Sequence, residues 1–140
     1  MKTKDIEPYI LPAVVVLFGL YFLKKFKLPG QAESEQTGKD IQASGQQPSY
    51  TDTSYNNLAD RIESAVKSHI FTDKDGIFDV FKLLKKDVDF LKLIKAFGQR
   101  RMQFTLAYGD LGAFLGSVLN SDDMNQVNSI MAANGLKSRI

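Results

Sequence analysis

Cysteine is absent from this 140-residue chain, and histidine occurs once. Without cysteine the chain can form no disulfide, thiolate metal site or cysteine nucleophile. Because His69 is the single imidazole, a multi-histidine metal site is excluded, and no serine nucleophile motif surrounds it. We therefore expect no enzyme activity, catalytic residue, metal site or cofactor, and interpret His69 as a structural residue at a helix end, where a cation is favoured.

A strong excess of either charge is also lacking, since 18 basic and 16 acidic residues give a formal net charge of +2. This balance predicts no specific nucleic-acid partner. One local basic run is a candidate surface for non-specific contact with phosphate groups of lipid or nucleic acid, interrupted by two aspartates. Its members are Lys82, Lys85, Lys86, Lys92, Lys95, Arg100 and Arg101. The alternative is that these cations only solvate helix faces and complement helix dipoles.

The longest apolar stretch, IEPYILPAVVVLFGLYFL, covers residues 6–23. About 17 to 25 apolar residues suffice to cross a bilayer, so this stretch predicts a single transmembrane helix over residues 8–23, after a flank over residues 1–7. Pro12 falls in its first turns, where a missing N–H is tolerated. Tyr9 and Tyr21 lie near the two ends, which is typical of residues at a membrane interface.

Three lysines follow the predicted span directly: Lys24, Lys25 and Lys27. A cleaved signal peptide would need small residues at this place, so the lysines favour an uncleaved anchor. Because basic residues are retained on the inner side of a membrane, they also predict that the C-terminal part lies inside, in a bacterial cytoplasm or within a virion membrane. The lipid bilayer is thus the first expected partner.

Polar residues and glycine dominate the next segment, and Ile41 is its only aliphatic β-branched residue. Such a composition buries too little apolar surface to offset the entropy of ordering. Residues 24–53 are therefore predicted to be a basic flank followed by a flexible polar linker, with an end-to-end distance of roughly 25 to 30 Å.

Apolar residues return at helical spacing over residues 54–140, beginning with Leu58, Ile62 and Val66. The same spacing recurs four more times between residues that start or end helices. Starts are expected at Thr72, Asp87, Asp110 and Ser121, and ends at Gly98 and at Asn134-Gly135. No stretch alternates long enough to predict a strand. We predict an all-α domain, a compact bundle of about five short helices with its phenylalanines in the core.

Several motifs in this domain resemble the annexin repeat, and more closely a family of small helical domains in Bacteroidota proteins and their phages. They are Phe71-Thr-Asp-Lys-Asp-Gly-Ile-Phe-Asp-Val-Phe, Ala96-Phe97-Gly98, Gly109-Asp110-Leu111 and Val127-Asn128-Ser129-Ile130. The resemblance covers residues 54–136 and implies a helical fold. Annexin helices begin after a Gly-x-Gly-Thr-Asp turn, and a later Gly-Asp-Phe-like start supplies an acidic calcium ligand. Thr72 and Asp73 occupy positions similar to that turn, and Asp110 a position similar to that ligand.

The glycine-rich turn of an annexin calcium site is replaced here by Ser68-His69-Ile70-Phe71, so the resemblance does not extend to that site. The run Asp73-Lys74-Asp75-Gly76 also fails as an EF-hand loop. Its glycine is the fourth residue rather than the sixth, and Leu84 replaces the twelfth-position glutamate. Helix capping explains these residues better.

The sequence therefore predicts a membrane-anchored structural or adaptor protein. The phage-like resemblance favours a virion membrane protein of a membrane-containing bacteriophage, whose helical domain contacts capsid or vertex proteins. A bacterial inner-membrane adaptor, a calcium-dependent annexin-like phospholipid binder and a membrane-bound lytic enzyme are the alternatives. The lytic reading would need a poised carboxylate such as Glu63. Homo-oligomerisation is left open.

Overall fold

The computed structural model describes residues 31–68, 71–103 and 106–140. These residues form a mostly α-helical bundle of six helices with one two-stranded ribbon. The elements are α1 Gln31–Ser44, α2 Asp52–Val66, α3 Lys74–Lys82, α4 Asp87–Phe97, β1 Arg100–Arg101, β2 Tyr108–Gly109, α5 Leu111–Val118 and α6 Ser121–Ala133. The prediction of a helical bundle is confirmed, with the five predicted helices found as α2 to α6.

Three predictions fall outside the described residues: the transmembrane helix over residues 8–23, the lysines that follow it, and the role of His69. Among the helices of residues 31–68, 71–103 and 106–140, none combines the length and the apolar character needed to cross a bilayer.

One of the helix starts matches the prediction, and a second lies one residue away from it. Asp110 precedes α5, as predicted, and its carboxylate accepts a hydrogen bond from the Ala113 backbone N–H at 2.8 Å. Helix α3 is capped by Asp73 rather than by Thr72, because the Asp73 carboxylate accepts from the Gly76 N–H at 2.9 Å. A Cβ atom at Gly76 would lie 2.5 Å from the Asp73 Oδ2 atom, so a larger residue there would have to displace the capping carboxylate.

The other two starts lie one residue away from the prediction or use a different side chain. Asn120, not Ser121, caps α6 by accepting from the Asp123 N–H, while the Asp123 carboxylate accepts from the Asn120 N–H. This reciprocal arrangement satisfies two helix-end donors at once. At α4 the carboxylate of Asp89 takes the capping role expected of Asp87.

Helix α2 is central to the described bundle and packs against α3, α4 and α5, while α1 packs on α4 and α6 packs on α3. The core consists of aliphatic and aromatic residues from α2 to α6. Five phenylalanines are buried, as predicted: Phe78, Phe81, Phe90, Phe97 and Phe114. Among the phenylalanines of the described residues, Phe71 is the exception, with 82% of its surface exposed.

Helix α1 differs from the flexible linker predicted over residues 24–53. Its inner face lies against the bundle, since Thr37 and Asp40 are only 1% and 8% exposed and Ile41 packs on the core. Composition suggested disorder because few apolar residues are present. The segment instead gains order from polar side chains buried against the bundle and from the hydrogen bonds that follow α1.

The ribbon between α4 and α5 was not predicted, because two residues per strand are too few for an alternating pattern. Arg100 pairs with Gly109 and Arg101 with Tyr108 in antiparallel register. A Cβ atom at Gly109 would lie 2.9 Å from both the Ala113 Cβ and the Met102 Sδ atoms. Glycine at this position therefore lets the ribbon pack closely on the start of α5.

Candidate interaction surface

The residues of the predicted basic run extend from the end of α3 to β1, and most of them have partners within the molecule. Lys82 lies 2.9 Å from Asp79 in the same helix, and Lys92 lies 3.0 Å from Asp52 at the start of α2. These pairs are largely open to solvent on at least one side, so each contributes little stability. They nevertheless reduce the positive charge that this face presents.

Lys85 and Lys86 contact the segment between α1 and α2. The Lys85 ammonium lies 5.6 Å from the centre of the Tyr50 ring, and Lys86 donates a hydrogen bond to the Gln47 carbonyl at 3.1 Å. The first arrangement is a cation–π contact. Both lysines therefore bind a neighbouring chain segment in addition to facing solvent.

Arg100 is the most highly coordinated member of the run. Its Nη1 atom lies 2.7 Å from Asp60 and 2.5 Å from Glu63, both on α2, and its Nε–H donates to the Phe97 carbonyl. The guanidinium also lies 4.8 Å from the centre of the Phe97 ring. Arg100 therefore fixes the ribbon to α2 and serves a structural role.

Replacing Arg100 with lysine is expected to lower the free energy of unfolding by about 1–2 kcal/mol, because an ammonium cannot reproduce the planar stack or the forked contacts. Arg101→Lys is the matched control, since Arg101 is exposed in the same strand. Urea unfolding followed by circular dichroism measures both. Equal stability of the two variants would contradict the structural role of Arg100.

Lys85, Lys86, Lys95 and Arg101 are all exposed and have no acidic partner within the described parts of the chain. Lys95 and Arg101 differ from Lys85 and Lys86 because their side chains also make no hydrogen bond or ring contact within those parts. The predicted basic surface is thus divided. Five of its cations hold the fold or form pairs, and the two unpaired cations lie near the end of α4 and in the ribbon.

Residues 46–50, here called the strap, bind the turn before α4 and its first residues. Gln46 accepts a hydrogen bond from the Val88 N–H at 3.1 Å, and the Tyr50 hydroxyl donates to the Leu83 carbonyl at 2.8 Å. The Ser49 N–H and hydroxyl both donate to the Asp89 carboxylate, at 2.8 and 2.7 Å. The strap therefore joins α1 firmly to the rest of the bundle.

Asp89 is fully buried and is the centre of this contact. Besides the two bonds from Ser49, its carboxylate accepts from the Tyr55 hydroxyl at 2.6 Å and from the N–H groups of Lys85 and Lys86 at 3.0 and 3.1 Å. Five donors are enough to stabilise a buried carboxylate. Burial alone would raise the pKa of Asp89, but hydrogen bonds from Tyr55 and Ser49 outweigh it and hold the pKa below its usual value.

The pKa of Tyr55 is shifted upward, first by burial and then by its hydrogen bond to the Asp89 carboxylate. Tyr55 is therefore a permanent donor rather than an acid at physiological pH. Sequence reasoning missed this pair and saw Asp89 only as an interruption of the basic run. The available signal was its position in the first turn of α4, where a carboxylate commonly caps a helix.

Carboxylates that were considered for catalysis or calcium have structural partners. Burial raises the pKa of Glu63, but hydrogen bonds from Lys67 and Arg100 outweigh this effect and lower it. A carboxyl group with a lowered pKa is a poor general acid at neutral pH. Asp73 and Asp110 cap helices, and the described residues bring no three histidine, cysteine or acidic side chains together as a metal site.

The Val-Asn-x-Ile motif near the end of the chain also has a structural explanation. Val127 is buried in the core, and the Asn128 side chain forms two hydrogen bonds with the backbone of Ile140. The N–H groups of Lys137 and Ser138 and the Ser138 hydroxyl donate to the Asp87 carboxylate. The last residues are therefore attached to both α4 and α6.

Among the described residues, large apolar side chains remain exposed at three places, one of which is Leu83 after α3, with 39% of its surface exposed. Tyr108 lies in β2 and Leu106 lies two residues before it, with 65% and 84% of their surface exposed. Phe71 lies between α2 and α3. An exposed group of this kind marks a candidate contact surface when charged residues accompany it. Arg101 is the register partner of Tyr108, so the ribbon meets this condition.

Comparison with protein-family models, curated proteins and solved structures finds no match to this chain. The resemblance to annexin repeats and to phage-associated helical domains therefore rests on the sequence motifs alone. The fold and its surfaces are the basis for any functional assignment.

Proposed function

We propose that the chain is a membrane-anchored structural or adaptor protein, whose helical domain presents an interaction surface close to the bilayer. The observation that carries this proposal is the position of α1. It begins at Gln31, eight residues after Leu23, the end of the predicted membrane span, and it packs on α4. The anchor is thus connected to the bundle through a helix that belongs to the bundle.

The length of this connection limits where the domain lies. Eight Cα-to-Cα steps from Leu23 to Gln31 cover at most about 29 Å even when fully extended. A flexible thirty-residue linker would reach about 100 Å. The first residue of α1 therefore lies within about 29 Å of the end of the predicted span, which keeps the helical domain close to the lipid surface.

Stable attachment of α1 supports the proposal. If α1 detached from the bundle, the segment between the anchor and the domain would again be long enough to let the domain move far from the bilayer. The strap provides this attachment through Gln46, Ser49 and Tyr50. Each of these contacts is made to α4 or to the turn before it. A load on the anchor would therefore be transmitted to the core of the bundle.

We favour a virion membrane protein of a membrane-containing bacteriophage as the setting, with capsid or vertex proteins as partners of the domain. A bacterial inner-membrane adaptor is the second candidate and uses the same anchor and domain. In both settings the C-terminal domain lies on the inner side, as the lysines after the span indicate.

Mass spectrometry of purified virions and of host inner-membrane fractions separates the two settings. We expect peptides from residues 31–140 in virions at a ratio comparable to other minor structural proteins. Recovery in the inner-membrane fraction alone would reject the virion setting and select the host adaptor. Crosslinking from the exposed lysines of the domain would then identify the neighbouring protein.

A further inference from the structure

The ribbon carries two apolar side chains and one cation toward solvent. Because Arg101 and Tyr108 are directly opposite in antiparallel register, their side chains project from the same face of the ribbon. Leu106 lies two residues before Tyr108 and is 84% exposed. Lys95, in the last turn of α4, adds a second exposed cation. We call Lys95, Arg101, Leu106 and Tyr108 the ribbon surface.

The charge of this surface is positive. Arg100, in the same strand, is neutralised by Asp60 and Glu63. Lys95 and Arg101 have no such partner in residues 31–68, 71–103 and 106–140. Exposed leucine and tyrosine beside unpaired cations match the headgroup region of an anionic bilayer, where tyrosine lies at the interface and basic residues bind phosphate.

The packing of α1 on α4 places this surface near the membrane attachment. The strap fixes the C-terminal end of α1 at the first turn of α4 through Val88 and Asp89. Since α1 packs on α4 from this fixed end, we infer that its N-terminal end lies toward the C-terminal end of α4. The ribbon begins three residues after Phe97, at that same end. Fourteen helical residues rise about 21 Å and eleven about 16 Å, so α1 is long enough to extend along all of α4.

We propose that the ribbon surface rests on the anionic lipid headgroups of the leaflet from which the anchor emerges. The inference depends on the proposed membrane anchoring and adds to it a fixed orientation of the domain. Leu106 and Tyr108 insert at the headgroup boundary, and Lys95 and Arg101 pair with lipid phosphates. The domain then presents its opposite side, including α6, to a protein partner.

Few groups contribute to this contact, so residues 28–140 without the anchor bind anionic vesicles weakly. The anchor overcomes this weakness because it holds the ribbon within about 29 Å of the bilayer and so raises the local concentration of lipid. The contact is therefore a property of the full chain. Its test requires the full chain in a membrane.

Absence of cysteine makes that test direct, because a single introduced cysteine can be labelled without competition. The full chain with Leu106→Cys carries an environment-sensitive fluorophore and is reconstituted into phosphatidylcholine vesicles containing phosphatidylglycerol and a nitroxide-labelled lipid. Ala132→Cys is the matched control, since Ala132 is an exposed residue of α6. We expect at least about threefold stronger quenching at position 106, because an interfacial group lies within about 10 Å of the acyl boundary.

Flotation of the vesicles is measured first, because it tests the membrane anchor separately from the contact between the ribbon surface and lipid. Failure of the full chain to float with lipid rejects the anchor and hence the proposed function. Flotation with equal quenching at positions 106 and 132 overturns the ribbon inference alone and leaves the ribbon surface to a protein partner. A Lys95→Glu and Arg101→Glu double variant is expected to reduce quenching at position 106, and unchanged quenching would reject anionic lipid as the ligand.

Discussion

Replacement of Asp89 with alanine is expected to lower the free energy of unfolding of residues 28–140 by about 3–5 kcal/mol, the range for breaking a buried, fully paired charged group. The variant leaves the Tyr55 hydroxyl, the Ser49 donors and two backbone N–H groups without their acceptor. The substitution also weakens the attachment of α1, since Ser49 of the strap loses its hydrogen-bond acceptor. Urea unfolding monitored by circular dichroism measures it.

Asp79→Ala is the matched control, because Asp79 is an exposed carboxylate paired only with Lys82 on the same helix. It should change the free energy of unfolding by less than about 1 kcal/mol. Hydrogen exchange adds a second measurement, in which the Ser49 amide loses protection in Asp89→Ala and keeps it in Asp79→Ala. Equal destabilisation by the two substitutions would contradict the role assigned to Asp89.

The Asp89 carboxylate makes the free energy of unfolding depend on pH. The pKa of Asp89 is lower in the folded protein than in the unfolded chain, so its stabilising contribution is complete above the unfolded value of about 3.9 and is lost as the pH falls toward the folded value. Asp89→Asn is expected to remove this part of the acid sensitivity. The measurement is the slope of unfolding free energy against pH below pH 5, compared with the unsubstituted chain.

Phe97→Ala is expected to have a comparable effect, a loss of about 3–5 kcal/mol. The Phe97 ring is almost fully buried, lies 4.9 Å from the Phe114 ring in an edge-to-face arrangement, and carries the Arg100 guanidinium on its face. Truncation therefore opens a cavity in the core and removes the support of the ribbon. Urea unfolding and the hydrogen exchange of the Met102 amide report these two effects.

Phe71→Ala provides the control with the same substitution, because Phe71 is mostly exposed. Its stability should differ from the unsubstituted chain by less than about 0.5 kcal/mol. A large loss in Phe71→Ala, or a small one in Phe97→Ala, would show that the core differs from the one described.

Periodicity in the sequence predicted the helices that bury an apolar stripe. Ile62 in α2, Phe81 in α3 and Leu115 in α5 all lie at such positions and are fully buried. These side chains specify a helix because burial of apolar area favours one face strongly. The start of α5 could also be predicted, because Asp110 caps it through a hydrogen bond with a residue only three positions away.

Polar long-range contacts could not be predicted in the same way. Helix α1 has little apolar surface, and its attachment depends on Ser49 reaching Asp89, forty residues later in the chain. No local pattern identifies such a partner. The ribbon was missed for a related reason, since its two-residue strands are held by Arg100 contacting α2 rather than by their own side-chain alternation.

The basic run shows the same contrast between what a local pattern predicts and what distant contacts decide. Sequence grouped seven cations into one run, and the prediction that the run binds phosphate stays untested. Spatial neighbours decide which of them are available: Arg100 is committed to Asp60 and Glu63, whereas Arg101, the next residue, is exposed. Adjacent positions in a strand face opposite sides, so proximity in sequence does not imply a shared surface.

Membrane flotation of the full chain tests the central claim most directly. The full chain and a chain of residues 28–140 are expressed separately, and the membranes are washed at alkaline pH before density-gradient flotation. We predict that the full chain floats with lipid, whereas residues 28–140 keep helices α1 to α6 but stay in the dense fractions. Recovery of the full chain in the dense, lipid-free fractions would contradict the account.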